Sequence, residues 1–331
     1  MATIFAVGHE AALQVIESVG ERLRQLGHEV HVHRSPTVLR TLPRWAMADV
    51  LVIAASPCER ADLEAARQLR GIVTPTIGFD CVDLGAASEN DILVVNGELV
   101  ENQISMAEAM FMLMIAGLYD LQASERGFWP GQPGPRPNRH MVRGKKIGLV
   151  GYGNIARALV RRFAGWEVDL QVYSRYPEDR SDVRFLGIDD LLRTSDVLVI
   201  TANLTESTFH LLNRERLMQV KDCILLVNAA RGAVVEEGAL VEALRSGRIR
   251  KAMLDVFETE PLPLDSPLRT LPNVVLTPHN VGHTRELVAA MPALAVRNVL
   301  DILNGVVPAS CRNPQVGARW RIRNALAAHS R

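Results

Sequence analysis

Short apolar runs alternate with stretches whose apolar positions recur every three or four residues, and this alternation continues along most of the chain. Ile4 to Val7, Val30 to Val32, Val50 to Ala54 and Ile92 to Val95 read as strands, while Ala11 to Leu26 and Glu59 to Leu69 carry helical spacing. Strands separated by helices at this rhythm predict a parallel sheet covered on its faces. A long helix is expected from about Glu101 to Ala123, where Met106, Met110, Leu113, Met114 and Leu118 form a stripe that reads as core packing. The pattern breaks between Trp129 and Asn138, whose four prolines can neither continue a helix nor pair into a sheet. That segment reads as a connecting loop.

A second alternation follows. Lys146 to Val150, Asp169 to Tyr173, Val197 to Thr201, Ile224 to Asn228, Lys251 to Leu254 and Val274 to Leu276 read as six strands, the complement of a complete dinucleotide-binding fold. A last helix near Arg285 to Asn304 has no sheet of its own and is expected to return to the first unit. The predicted class is α/β: a Rossmann-type dinucleotide-binding domain at 101–285, and a discontinuous flavodoxin-like α/β substrate-binding domain at 1–100 and 286–331.

Composition narrows this picture without redirecting it. A chain of 331 residues is long for one core, and 48% hydrophobic residues suffice for two. Lys plus Arg equals Asp plus Glu at 37 each, so charge gives no reason to expect nucleic acid or a membrane surface. The basic stretch Arg319 to Arg331 reads as a solvated helix or frayed end. No signal peptide is visible, and the longest apolar run, Met110 to Leu118, is far short of the roughly 20 residues of a membrane span. Cys58, Cys81, Cys223 and Cys311 are scattered, with neither disulfide nor zinc spacing, so the cytoplasm is the expected compartment.

The sharpest local signal is the strand–turn–helix run Gly151-Tyr152-Gly153-Asn154-Ile155-Ala156. Gly151 permits a tight turn, Gly153 lets backbone approach a pyrophosphate, and Ala156 lets the helix pack close on the strand. The helix N-terminus offers free N–H groups to phosphates. About 20 residues on, where NAD enzymes place an acid for the ribose hydroxyls, the chain has Ser174-Arg175 and no acid before Glu178. A hydroxyl and an arginine suit a 2′-phosphate and favour NADP(H) over NAD(H); an ordinary exposed loop arginine is the alternative.

Three later segments carry chemistry: Asn228-Ala229-Ala230-Arg231-Gly232, Asp255-Val256-Phe257-Glu258-Thr259-Glu260-Pro261, and Thr277-Pro278-His279-Asn280. In type, order and spacing they resemble the D-isomer-specific 2-hydroxyacid dehydrogenase family. The likeness extends to Thr76 through Leu84, to Asn96 through Glu108, to Trp129 and to Gly144-Lys145, leaving out the tail after Pro314. It implies an NAD(P)-dependent enzyme that interconverts a small 2-keto acid and its D-2-hydroxy acid, of the NADPH-dependent glyoxylate or hydroxypyruvate reductase type. By the same resemblance Arg231 holds the substrate carboxylate and polarises its carbonyl, and His279 exchanges the proton. Glu260 fixes the His279 tautomer and favours its charged form, while Asp255 orients the nicotinamide carboxamide and Ala229 binds the cofactor. Amides at Ile77 and Gly78 cradle the carboxylate. A homodimer through the dinucleotide domain, with the Glu101–Ala123 helix and the proline loop as contacts, is implied too, as is domain closure.

Each residue alone has a plainer explanation: Arg231 as a surface arginine, Glu260 as a loop acid, His279 as a structural histidine. His31 and His33 share one face of a strand, but no third metal ligand is evident. Asn280, Val281 and His283 depart from the commoner family pattern, in which small residues follow the histidine, and Ala202 to Thr205 departs from its usual Pro-Leu-Thr. These departures leave the identity of the acid open. Formate oxidation is disfavoured, because such enzymes carry Gln at the position of Glu260. A phosphite-type dehydrogenase and a nucleotide-sensing, corepressor-like binding protein remain alternatives. From the length, an added C-terminal regulatory domain is not expected.

Overall fold

A computed structural model describes residues 1–35, 38–128, 139–222 and 224–329, with side chains to residue 325. The proline loop, with Trp129, and Cys223 lie outside the described residues. The chain divides into two compact units, Met1–Asn102 with Thr284–Arg331, and Gln103–His283.

The first unit is built on five parallel strands, β1 (Thr3–Gly8), β2 (Glu29–Arg34), β3 (Val50–Ala54), β4 (Gly71–Val73) and β5 (Leu93–Val95), in the order β2-β1-β3-β4-β5. Both faces are covered, so the strands read as continuous apolar runs rather than alternating ones. Ile4 and Ala6 of β1 and Val50 and Val52 of β3 pack under helices Leu13–Gln25 and Arg285–Leu303. Phe5, Val7, Leu51 and Ile53 face the opposite layer with Trp45, Leu63 and Ala86. The helix Arg285–Leu303 lies in this unit, with Ile302 pressed against Gly71 of β4. β4 escapes a reading of periodicity, being three residues long and opened by a glycine.

The second unit holds seven parallel strands: β6 (Lys146–Val150), β7 (Asp169–Tyr173), β8 (Arg184–Phe185), β9 (Val197–Ile200), β10 (Ile224–Asn228), β11 (Ile249–Leu254) and β12 (Val274–Leu276). Their order is β12-β11-β10-β9-β6-β7-β8, the doubly wound arrangement of a Rossmann fold. Six match the expected strands; β8, at two residues, is too short to show a period. The strand order reverses between β6 and β9, and open α/β sheets bind ligands at the carboxyl ends of strands flanking such a reversal.

The expected Glu101–Ala123 helix is two helices, Val100–Tyr119 and Leu121–Phe128, because Asp120 adopts a left-handed conformation with φ 52°. Residues of β11 explain the break. The ammonium of Lys251, only 6% exposed, pairs with Asp120, and Arg250 donates to the Gly117 carbonyl at 3.3 Å. Cations at a helix C-terminus satisfy its free carbonyls and stop it there. Met110, Leu113, Met114 and Leu118 enter the core of the second unit. No single described helix is long and apolar enough to cross a membrane.

Candidate active site

The glycine turn closes β6 and opens helix Asn154–Arg162, with Gly153 as its N-cap. Gly151 has φ 107°, and a Cβ there would meet the backbone nitrogen of Ala202 at 2.8 Å, so glycine is required twice over. At Gly153 a Cβ would meet nothing within 4 Å. The protein itself therefore makes no demand for glycine there, and the open space suits a ligand approaching the backbone. Ala156 is fully buried where the helix packs on the sheet. Asn154 and Ile155 open the helix, whose first amides lack intrahelical acceptors. The Tyr152 ring is buried edge-on to Phe185 under the Arg157 guanidinium, so its backbone rather than its side chain is left to a ligand.

Ser174 and Arg175 follow β7. The hydroxyl of Ser174 lies 3.2 Å from both the amide and the carbonyl oxygen of Tyr176, shaping the turn. Neighbouring arginines are committed to carboxylates: Arg157 to Glu178, Arg180 to Asp182, and Arg184 to Asp169. Arg175 is different. Among the described residues its guanidinium donates only to the Ser207 hydroxyl, which also bonds Thr205. Its charge is solvated but not neutralised.

Arg231, Glu260 and His279 come from loops after β10, β11 and β12 in the second unit. Asn228 shapes the first loop: its Oδ1 accepts from the Ala230 amide at 3.1 Å and its Nδ2 donates to the Arg231 carbonyl at 3.0 Å. Ala229 is buried at the end of β10. Glu260 Oε1 accepts from the Phe257 amide at 3.1 Å, and Oε2 lies 2.6 Å from His279 Nδ1. Burial pushes the Glu260 carboxyl upward, but the His279 bond, the Phe257 amide and the charges of His279 and Arg231 outweigh it and hold it below the usual glutamate range. An ionised carboxylate only accepts, so Nδ1 carries the proton of this bond. His279 itself has φ 52°, a left-handed conformation uncommon outside glycine. Asp255, 1% exposed, maintains it by accepting from the amides of Asn280 at 3.1 Å and Val281 at 3.3 Å.

In the first unit, Ile77 and Gly78 lie in the loop after β4. Asn96 Nδ2 donates to the Ile77 carbonyl at 2.7 Å, and Thr76 Oγ1 to that of Gly78 at 3.1 Å. The carbonyls are thus turned inward. Among the described residues the amides of Ile77 and Gly78 donate to no acceptor.

A model of the D-isomer specific 2-hydroxyacid dehydrogenase, NAD binding domain, matches residues 109–281. A glyoxylate/hydroxypyruvate reductase B of Yersinia pseudotuberculosis is 37% identical over 278 residues, 81% of this chain and 85% of that protein. The chain belongs to the D-isomer specific 2-hydroxyacid dehydrogenase family. Among solved structures, the TT0316 protein from Thermus thermophilus superposes with a TM-score of 0.80 at 32% identity, covering 94% of this chain and 99% of that one. A glyoxylate reductase from Paecilomyes thermophila gives 0.82 at 25% identity, covering 95% and 99%. This D-2-hydroxyacid dehydrogenase is therefore an oxidoreductase with an NAD(P)-binding domain.

Some residues of the dehydrogenase were harder to foresee. That Asp255 anchors the His279 loop is invisible locally, since the partners are 25 and 26 residues away. Met106 is another case: a Cβ on Gly282 would meet its sulfur at 2.1 Å, so this helical residue packs against the loop that carries His279. His283 is held below the ordinary histidine range by burial and then by the His279 charge, with Asp255 opposing. His31 and His33 both stack on Phe5, at 4.9 and 5.9 Å, and no metal-binding group occurs among the described residues.

Proposed function

We propose that this dehydrogenase is an NADP(H)-preferring reductase of small 2-keto acids such as glyoxylate or hydroxypyruvate, with His279 as proton donor. The observation that carries the reading is the 2.6 Å His279–Glu260 pair with its carboxylate ionised. Glu260 takes Nδ1, and no described residue hydrogen-bonds Nε2, which is the nitrogen that protonates a substrate carbonyl oxygen. Arg231 holds the substrate carboxylate and polarises the carbonyl through its guanidinium fork. The amides of Ile77 and Gly78 are assigned to the substrate carboxylate, and residues 1–100 with 286–331 to the substrate-binding domain.

The dinucleotide is held by the backbone of Gly151 to Ile155, with Ala229 and Asp255 bordering the nicotinamide. Bound there, a nicotinamide supplies the hydride. Ser174 and Arg175 receive the 2′-phosphate: a guanidinium with no carboxylate partner among the described residues loses none of the described ion pairs when a phosphate arrives. The similarity to glyoxylate/hydroxypyruvate reductases B supports the choice of glyoxylate and hydroxypyruvate. Assembly as a homodimer in the cytoplasm completes the reading.

Initial rates of NADPH and NADH oxidation with glyoxylate, hydroxypyruvate, pyruvate and aromatic 2-keto acids test it, alongside His279→Ala. The expected result is turnover of the small acids with NADPH and loss of turnover in the variant. A variant that reduces these acids at the native rate removes His279 from the mechanism.

A further inference from the structure

Two residues before Glu260, the Glu258 carboxylate is committed to a second cluster. Its Oε1 lies 2.6 Å from His210 Nε2 and accepts from the Glu237 amide at 3.0 Å, while the Glu258 amide donates to Glu237 Oε2 at 3.2 Å. The two segments thus exchange backbone and side-chain bonds. Glu237 begins helix Glu237–Arg245, whose positive end favours the Glu258 charge. Glu237 itself is held above the usual carboxyl range, chiefly by burial.

His210 is the third member, and it faces two ways. Its amide donates to the Ala233 carbonyl at 2.8 Å, two residues past Arg231, and its ring reaches Glu258, two residues short of Glu260. Leu212 continues the contact, its amide bonding the Val234 carbonyl at 3.0 Å. The ring stacks on Phe209 with centroids 3.9 Å apart, and the backbone is left-handed at φ 47°. A single residue therefore ties the loop after β10 to the loop after β11.

We infer that His210 and Glu258 are positioning residues that hold Arg231 and Glu260 in fixed relation for the reaction. The inference rests on the catalytic roles proposed above for those two residues. Neither His210 nor Glu258 needs to touch substrate; each acts through the loop it fastens.

His210→Ala is expected to lower kcat roughly tenfold to a hundredfold, the scale of a small misplacement of catalytic groups. NADPH binding, read by fluorescence titration, and the thermal midpoint should stay near native values. His210→Gln, whose amide nitrogen can still donate to Glu258, should restore most of the turnover. A native kcat in His210→Ala, or equal losses in the Ala and Gln variants, overturns the positioning role. Should the Ala variant not fold, Glu258→Ala replaces it: it removes the acceptor of both donors, and a native kcat there is equally adverse. His279→Ala reports separately on the underlying mechanism. If it is inactive while His210→Ala turns over normally, only the positioning role fails.

Discussion

Gly232 lies so close to the backbone of Phe257 that a Cβ on it would sit 1.9 Å from the Phe257 carbonyl carbon. The contact joins the residue after Arg231 to the segment that ends in Glu260. A backbone-to-backbone approach of this kind admits no side chain and cannot be relieved by a rotamer change. Gly232→Ala should therefore push the two loops apart. A loss of about 1–3 kcal/mol in stability is expected, the usual range for overpacking, together with a fall in kcat/KM. Urea unfolding and steady-state kinetics on the same preparation check both.

Glu260→Gln should lower kcat roughly a hundredfold or more, by analogy with other histidine-orienting carboxylates. Its effect on stability has a defined sign. The Glu260 carboxyl is held below the ordinary glutamate value, about 4.3 in unfolded chains. Its contribution is thus complete above that pH and is lost as pH falls through the lower folded value. Urea unfolding of native protein and variant should show a constant gap from pH 7 down to about pH 5, narrowing in more acidic solution.

Arg175→Ala removes a guanidinium whose partner among the described residues is neutral. A charge-assisted bond of about 1.5–3 kcal/mol corresponds to a roughly tenfold to hundredfold rise in KM for NADPH. The KM for NADH should change little. Equal effects on the two cofactors would remove Arg175 from the selection between them.

Asp255→Ala deprives the amides of Asn280 and Val281 of their acceptor and frees the left-handed turn at His279. Losing part-buried hydrogen bonds of this kind costs about 0.5–1.5 kcal/mol each. A lower thermal midpoint and a kcat loss exceeding that of Asp255→Asn, which retains one acceptor oxygen, are expected from calorimetry and kinetics.

Much of the molecule was legible along the chain. Apolar runs of β-branched residues marked β1, β3, β6, β9 and β10, because a strand buried on both faces has one local signature. The turn from Gly151 to Ala156 and the motifs around Arg231, Glu260 and His279 were equally plain, and they carried the family. Other elements were not. β4 and β8 are too short to display a period, and the helix break at Asp120 depends on Lys251 and Arg250 of a distant strand.

Residue types and local periodicity are written in neighbouring positions, so the sequence by itself determined the α/β alternation and the inventory of reactive side chains. Partnership is a different matter. That His279 meets Glu260, that Asp255 holds the His279 turn, that Arg175 has a hydroxyl for a partner and that His210 binds two loops at once are relations across 19 to 48 residues. Only closure of the sheet brings such residues within hydrogen-bond distance, and only the tertiary structure decided them.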